Sequence, residues 1–196
     1  MQFSNLLSDA VLAATGVYVF LRFCTARPHF EKLLWGIFLI TLSVTALAGV
    51  VRFAGVAGIV AMHLSLQLLV GSLGVLALVV AVWCNISGHA ATARTFYTTV
   101  AAGFVIFGFF AQTQYGSFAV VLQSLAMLVV MLLAVWGLLQ KQKTAVWFVL
   151  AVMVAGIATK VGSFGLPINP TDAYHYALAL SLFAFGKGAA GPKTQP

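Results

Sequence analysis

Charge is what this sequence has least of: 7% of its 196 residues are Asp, Glu, Lys or Arg, against about 25% in soluble proteins. Hydrophobic residues make up 62% of the chain, and the mean hydropathy is +1.07. No linker or low-complexity tract interrupts them, so no separate soluble domain is expected. The sequence predicts one membrane domain over residues 1–187, followed by a disordered tail at 188–196.

Cysteine is scarce, and internal repeats and a lysine in the middle of the last apolar run are missing. Each of these features excludes a class of protein. The two cysteines, Cys24 and Cys84, have no clustered partners that would make a zinc motif, and no disulfide is expected. No internal repeat supports an inverted-repeat transporter. Lys187 lies at the end of the last apolar run and not at its centre, which excludes a retinal protein.

What the chain does have is seven apolar runs, each near the roughly 20 residues that a helix needs to cross a bilayer. They do not alternate polar and apolar residues as barrel strands do, so helices are expected. The predicted spans are Leu6–Phe23, Leu33–Val51, Ile59–Trp83, Thr95–Gln112, Phe118–Leu139, Ala145–Leu166 and Asp172–Gly186. The predicted fold class is therefore all-α, a bundle of seven transmembrane helices.

The positions of Lys and Arg predict the orientation. With the N-terminus outside and the C-terminus in the cytoplasm, eight basic residues face the cytoplasm and only Arg52 and Lys160 face outward. All four tryptophans then fall at cytoplasmic helix ends. The predicted location is the cytoplasmic (inner) membrane. Since the net charge of +7 is scattered singly over helix ends, the expected partners are membrane lipids and not nucleic acid.

Polar side chains from distant parts of the chain converge at the predicted outer face, where helix 2 ends and helices 3 and 7 begin. An ionisable group costs about 2.5–3.5 kcal/mol near the membrane centre, so such a layer is a candidate site. Small and polar stripes on these helices should face the bundle interior. The layer contains Asp9, and an outward-facing pocket between helices 2, 3 and 7 is predicted from Arg52, His63, Gln67, Lys160, Asp172 and His175.

Each of these residues also has a purely structural interpretation. Asp172 ends an Asn-Pro-Thr-Asp run that is typical of a helix start, where it would interact with the macrodipole. His63 can reach lipid headgroups, and Arg52 and Lys160 can extend to the interface. His175 has no capping role, and a structural hydrogen bond explains it as well as a functional one.

The same residues are the chain's only candidates for a metal or haem site. A zinc site needs three or four ligands, which His63, Asp172 and His175 could supply, although Arg52 nearby would oppose a dication. A b-type haem would need two facing histidines, and His63 and His175 are the available pair. No cofactor is expected, and zinc is the alternative.

A resemblance to known proteins rests on the stretch from Asn169 to His175 (Asn-Pro-Thr-Asp-Ala-Tyr-His) and on Ala177, Leu180 and Gly186 after it. This stretch resembles the last helix of a group of bacterial seven-helix membrane proteins. Those proteins are similar to the membrane hydrolase superfamily of alkaline ceramidases and adiponectin-type receptors. The seven helices, with the N-terminus outside, fit the same superfamily.

In that superfamily, zinc is held by a histidine at the end of helix 2 and two at the start of helix 7, assisted by a serine and an aspartate. His175 matches the second histidine of helix 7, but Thr171 stands where the first would be and Arg52 where the helix 2 histidine would be. Ala48 stands at the position of the superfamily's serine, and His63 is the nearest counterpart of its helix 3 aspartate. The resemblance therefore implies a lost zinc site, replaced by an Arg52–Asp172 ion pair.

Two functions follow from these observations. The leading one is non-catalytic: a multi-pass membrane protein whose outward pocket binds a lipid or a small amphiphile. The alternative is an intramembrane hydrolase of lipid amide or ester bonds, in which His63, Asp172 and His175 position a metal or water. A transporter would need an inward path, and the cytoplasmic halves of the predicted helices are almost without polar residues.

Overall fold

The computed structural model describes residues 2–112, 118–165 and 167–191, and over these residues the chain is helical with no β-strand. The long helices are α1 (Gln2–Val19), α2 (His29–Phe53), α3 (Val60–Ser87), α4 (Ala93–Ala111), α5 (Phe118–Leu139), α6 (Ala145–Ala158) and α7 (Pro170–Ala189). One π-helical turn, Phe20–Cys24, extends α1, and another, Val70–Gly74, lies within α3. Short 3-10 turns precede α3 at Ala57–Ile59 and follow α6 at Val161–Phe164.

Capping residues explain several of the helix ends. α7 begins after Asn169, whose Oδ1 accepts a hydrogen bond of 3.0 Å from the Thr171 backbone N–H, with Pro170 in the first turn. The Thr92 side chain caps α4 in the same way. Gly88 ends α3 with a φ of 74°, a left-handed conformation that glycine adopts without steric cost.

Helices α1 to α5 are long and apolar enough to cross a membrane. Helix α6 is apolar but only 14 residues long, so it is shorter than the predicted span Ala145–Leu166, and Leu166 lies outside the described residues. It ends where the Thr159 hydroxyl donates to the carbonyl of Gly156, a local bond that competes with further helix.

The last helix is longer than the sequence predicts. α7 runs from Pro170 to Ala189, and Gly188 and Ala189 are buried, so both belong to the helix and not to the predicted tail. Residues 192–196 of that tail lie outside the described residues.

Most helices pack on their neighbours in the chain, and the first helix also packs on the last. α1 lies against α2 and α7, α7 also packs on α6, and α3 contacts α2, α4 and α5. The core contains a stack of Trp35 on Phe148, with ring centroids 6.2 Å apart, and an edge contact of Phe38 with Phe185 at 5.8 Å. Large apolar side chains on α4 and α5 are exposed, as expected of surfaces that contact lipid.

Both cysteines, Cys24 and Cys84, are buried and free, so neither forms a disulfide. They lie near the end of the bundle where α7 finishes, together with Arg27 and Glu31.

Candidate functional site

A hydrogen-bonded network joins the beginnings of α1 and α7. The Ser8 hydroxyl donates to Asp172 Oδ1 at 2.8 Å, and Ser8 Oγ lies 3.2 Å from His175 Nδ1. Asp9 Oδ1 also lies 3.2 Å from His175 Nδ1. We call Ser8, Asp9, Asp172 and His175 the Asp9 network. It connects residues more than 160 positions apart, and the sequence predicts its two α7 members and Asp9 but not Ser8.

Asp9 is held deep in the bundle, with 3% of its surface exposed. Its carboxylate fits against α2 because residue 49 is glycine: a Cβ there would lie 2.3 Å from Asp9 Oδ2 and 2.8 Å from its Cγ. Oδ2 is buried, and no hydrogen-bond partner for it is found among the described residues. One oxygen of this acid is therefore engaged by His175 and the other is not satisfied.

Two asparagines close the end of the network. Asn169 Nδ2 donates to Asn5 Oδ1 at 2.9 Å, while Asn169 Oδ1 caps α7. Asn169 is thus the N-cap, and Asp172 lies in the first turn, where an acidic side chain interacts favourably with the helix dipole. Because Asp172 is also buried and accepts from Ser8, capping is not its sole role.

The predicted ion pair between Arg52 and Asp172 is wrong. Arg52, at the exposed end of α2, donates to His63 Nδ1 at 3.4 Å, and its guanidinium lies 5.7 Å from the Phe53 ring centre. Asp172 instead faces α1, where Ser8 satisfies it. The sequence predicts that these charges share a membrane depth, but depth alone does not decide which neighbour each one meets.

A cavity of about 290 Å³ opens beside the Asp9 network, between α1, α2, α3, α5 and α7. Its lining residues are Asp9, Leu12, Leu42, Thr45, Ala46, His63, Gln67, Val70, Gln123, Tyr174, His175 and Leu178. Of the predicted pocket residues, His63, Gln67 and His175 line it. Arg52 and Asp172 adjoin lining residues without lining the cavity themselves, and Lys160 is exposed beyond the end of α6.

Gln123 and Tyr174 are polar residues of this cavity that the sequence analysis misses. Gln123 lies on α5, and its amide reaches the backbone of α3 at Gly71, where a Cβ would lie 2.2 Å from Gln123 Nε2. Gly71 belongs to the π-helical turn of α3, a local irregularity that often marks a functional site. A single glutamine inside an otherwise apolar predicted span is the signal that could have identified it.

A second, more apolar cavity of about 390 Å³ adjoins the first. The two share five lining residues: Leu42, Val70, Gln123, Tyr174 and Leu178. The second continues between α2, α3, α5, α6 and α7, past Phe38, Met127 and Phe185. Together the two cavities form a space that is polar at one end and apolar at the other.

The predicted zinc ligands His63, Asp172 and His175 each contact other side chains. Over residues 2–112, 118–165 and 167–191, no group of three His, Cys, Asp or Glu side chains is placed to hold a metal. Of the predicted set, His63 is engaged by Arg52 and lies 3.5 Å from Gln67. Asp172 and His175 are engaged by Ser8.

A second buried cluster lies at the other end of the bundle and is absent from the predicted site. Arg27 Nη1 lies 3.5 Å from Glu31 Oε2, with 8% and 6% of the two side chains exposed. Arg27 also donates to the Ala189 carbonyl at the end of α7. Burial lowers the pKa of Arg27, and the Glu31 carboxylate opposes that shift. The spacing of four between Arg27 and Glu31 is the sequence signal that could have identified this pair.

A family model for a family of unknown function, DUF6962, matches residues 4–194. The chain belongs to this family. Neither the curated proteins nor the solved structures include a match to it. The family assignment thus covers both ends of the bundle and the residues of the candidate site, and it leaves the function to be argued from that site.

Proposed function

We propose that this member of DUF6962 crosses the cytoplasmic (inner) membrane seven times, with its N-terminus outside and its C-terminus in the cytoplasm. The five long apolar helices support a membrane location. At about 1.5 Å per residue, the 14 residues of α6 span about 21 Å, less than the roughly 30 Å hydrocarbon core. The 3-10 turn after α6, packed on α7, would complete that span.

Reporter fusions test this topology. A fluorescent protein fused after residue 196 should fluoresce in the cytoplasm, and alkaline phosphatase at the same point should be inactive. An active phosphatase there would reverse the orientation.

The proposed activity is binding of an amphiphile, without chemistry on it. The pair of adjoining cavities carries this proposal, because a head group and a hydrocarbon tail need neighbouring spaces of opposite character. The lining of the polar cavity contains no Lys or Arg, and its polar side chains are those of Asp9, Thr45, His63, Gln67, Gln123, Tyr174 and His175. We infer an uncharged head group that forms hydrogen bonds, such as an amide or alcohol, and not a phosphate.

The geometry of the Asp9 network argues against nucleophilic catalysis. Ser8 is 0% exposed and does not line the polar cavity, so its hydroxyl is not accessible to a molecule bound there. Both Asp9 and Ser8 contact the same nitrogen of His175, whereas a catalytic triad uses the two ring nitrogens for the acid and the nucleophile.

A pair of glycine variants tests the binding proposal. At Gly156, in the apolar cavity, and at Gly108, on α4 outside both cavities, an added Cβ meets nothing within 4 Å. Protein is purified in mild detergent and its bound amphiphiles are extracted and counted by mass spectrometry. We expect near-stoichiometric amphiphile in the wild type and in Gly108→Phe, and its loss in Gly156→Phe. The same extract from all three proteins would overturn the proposal.

The second candidate is the intramembrane hydrolase of lipid amide or ester bonds, and with it kinship to the ceramidase and adiponectin-receptor superfamily. The observation that favours it is the position of two acids, a serine and a histidine beside the polar cavity. Metal analysis of the purified protein and of a His63→Ala/His175→Ala variant separates the candidates. Near-stoichiometric zinc that the variant loses would favour the hydrolase.

A further inference from the structure

The chain has three acidic residues, and all three are buried and engaged with other side chains. Asp9 contacts His175, Asp172 accepts from Ser8, and Glu31 pairs with Arg27. No acidic residue is left for the exposed basic residues. No ion pair joins these exposed basic residues to an acidic side chain over residues 2–112, 118–165 and 167–191.

Two of these basic residues line a pocket. It has a volume of about 570 Å³ and lies between the loop after α3 and the loop joining α5 to α6. Its lining residues are Asn85, Ile86, Ser87, Gly88, Lys141, Gln142, Lys143 and Thr144. The lining contains two positive charges, four polar uncharged side chains and no acid. Neither lysine has an ion-pair partner among the described residues.

The two loops are fixed to each other and not simply adjacent. Gln142 Nε2 donates to the Ile86 carbonyl at 2.8 Å, which ties the α5–α6 loop to the end of α3. Lys141 has a φ of 62°, the left-handed conformation that normally favours glycine at the end of a helix. The backbone N–H of Gln142 bonds to the Gly137 carbonyl at 3.0 Å, which closes this turn.

Aromatic residues place the pocket at the membrane surface. Trp83, at the end of α3, is exposed and stacks on His89, with ring centroids 5.7 Å apart and planes inclined by 4°. Trp136, near the end of α5, and Trp147, at the start of α6, are also exposed. Indoles at helix ends concentrate at the headgroup level of a bilayer, so lipid phosphates lie at the depth of this pocket.

We propose that this pocket binds the phosphate of an anionic phospholipid, held by Lys141 and Lys143. A basic pocket between helices at the membrane surface is suited to such a headgroup. The proposal rests on the membrane location of the chain but not on the amphiphile proposed for the central cavities. The two ligands would bind independently, an uncharged head group in the central cavity and an anionic one in this pocket.

Native mass spectrometry in mild detergent tests this, with added phosphatidylglycerol, phosphatidylcholine or inorganic phosphate. We expect one tightly held phosphatidylglycerol, no equivalent phosphatidylcholine, and roughly tenfold to thirtyfold weaker binding in Lys141→Gln/Lys143→Gln. The matched control, Arg22→Gln/Arg94→Gln, removes the same charge from exposed positions outside the pocket and should bind like the wild type. Equal weakening in both variants would overturn the proposal, because the attraction would then be spread over the surface.

A further variant separates binding from folding. Lys141→Gly relieves the left-handed strain, so its melting temperature should be equal to or above that of the wild type while phosphatidylglycerol binding falls. Unchanged binding in this variant and in the double variant would overturn the proposal. So would displacement of the lipid by millimolar inorganic phosphate, which would indicate a site for free phosphate. Loss of the central amphiphile in Gly156→Phe would leave all these results unchanged, so the two proposals fail separately.

Discussion

The two ends of the bundle each bury acidic side chains, but they satisfy them differently. Glu31 lies against Arg27, whose guanidinium also binds the last carbonyl of α7, and Asn85 approaches the same end of that helix. In the Asp9 network, two acids share one serine and one histidine, and Asp9 Oδ2 has no partner among the described residues. A cavity opens beside this network.

The difference suggests how to tell a structural polar cluster from a functional one in this family. A buried charge is stable when each of its polar atoms is paired. At the Arg27–Glu31 pair, which closes one end of the bundle, no buried side-chain atom lacks a hydrogen-bond partner among the described residues. The Asp9 network keeps unused hydrogen-bonding capacity, together with space beside it, so it is the end where a ligand can be accommodated.

The largest loss of stability is expected at the end of the bundle that contains the Arg27–Glu31 pair. Replacing Glu31 by Ala leaves the buried Arg27 without its counter-charge, and we expect a loss of about 3–5 kcal/mol in the free energy of unfolding. Thermal unfolding in mild detergent measures the change. Arg27→Leu/Glu31→Leu removes both charges and should be less destabilised than Glu31→Ala. A double variant at least as unstable as the single one would show that the charge pair does not explain the stability.

A smaller effect is expected where the Asp9 network touches α2. Gly49→Ala would push against the Asp9 carboxylate, which is short and held by His175, at a cost of about 1–3 kcal/mol. The control is Gly71→Ala, where the new Cβ meets only the end of the Gln123 side chain, which can rotate away. Unfolding measurements should rank Gly49→Ala well below Gly71→Ala in stability. Equal stabilities would mean that Asp9 is not held rigidly.

The smallest effect is expected from Ser8→Ala. It removes an interhelical hydrogen bond, for which about 0.6–1.7 kcal/mol is typical inside membranes. Ser72 is equally buried, but its hydroxyl bonds only to carbonyls of its own helix, at Leu68 and Leu69. Ser72→Ala should therefore cost less than Ser8→Ala in the same unfolding assay. The reverse order would remove the Ser8–Asp172 bond from the account of how α1 and α7 associate.

The sequence alone is sufficient to predict the helices. Runs of about 20 apolar residues allow few structures other than helices, because backbone groups have no partner in lipid. The first five predicted spans therefore agree with α1 to α5 to within a few residues. Asn169 and Pro170 mark the start of α7, and helical spacing places His63 and Gln67 on one face, where both line the cavity.

Tertiary structure alone decides which polar group meets which. Arg52 and Asp172 have opposite charges and a common predicted depth, yet Arg52 binds His63 and Asp172 binds Ser8. The choice depends on how helices rotate and approach one another. At Gly49, the absence of a side chain lets α2 come close to Asp9, a contact between residues 40 positions apart that no local pattern records. The length of an apolar run predicts where a helix crosses the membrane, whereas the pairing of its few polar atoms is set by packing across the whole bundle.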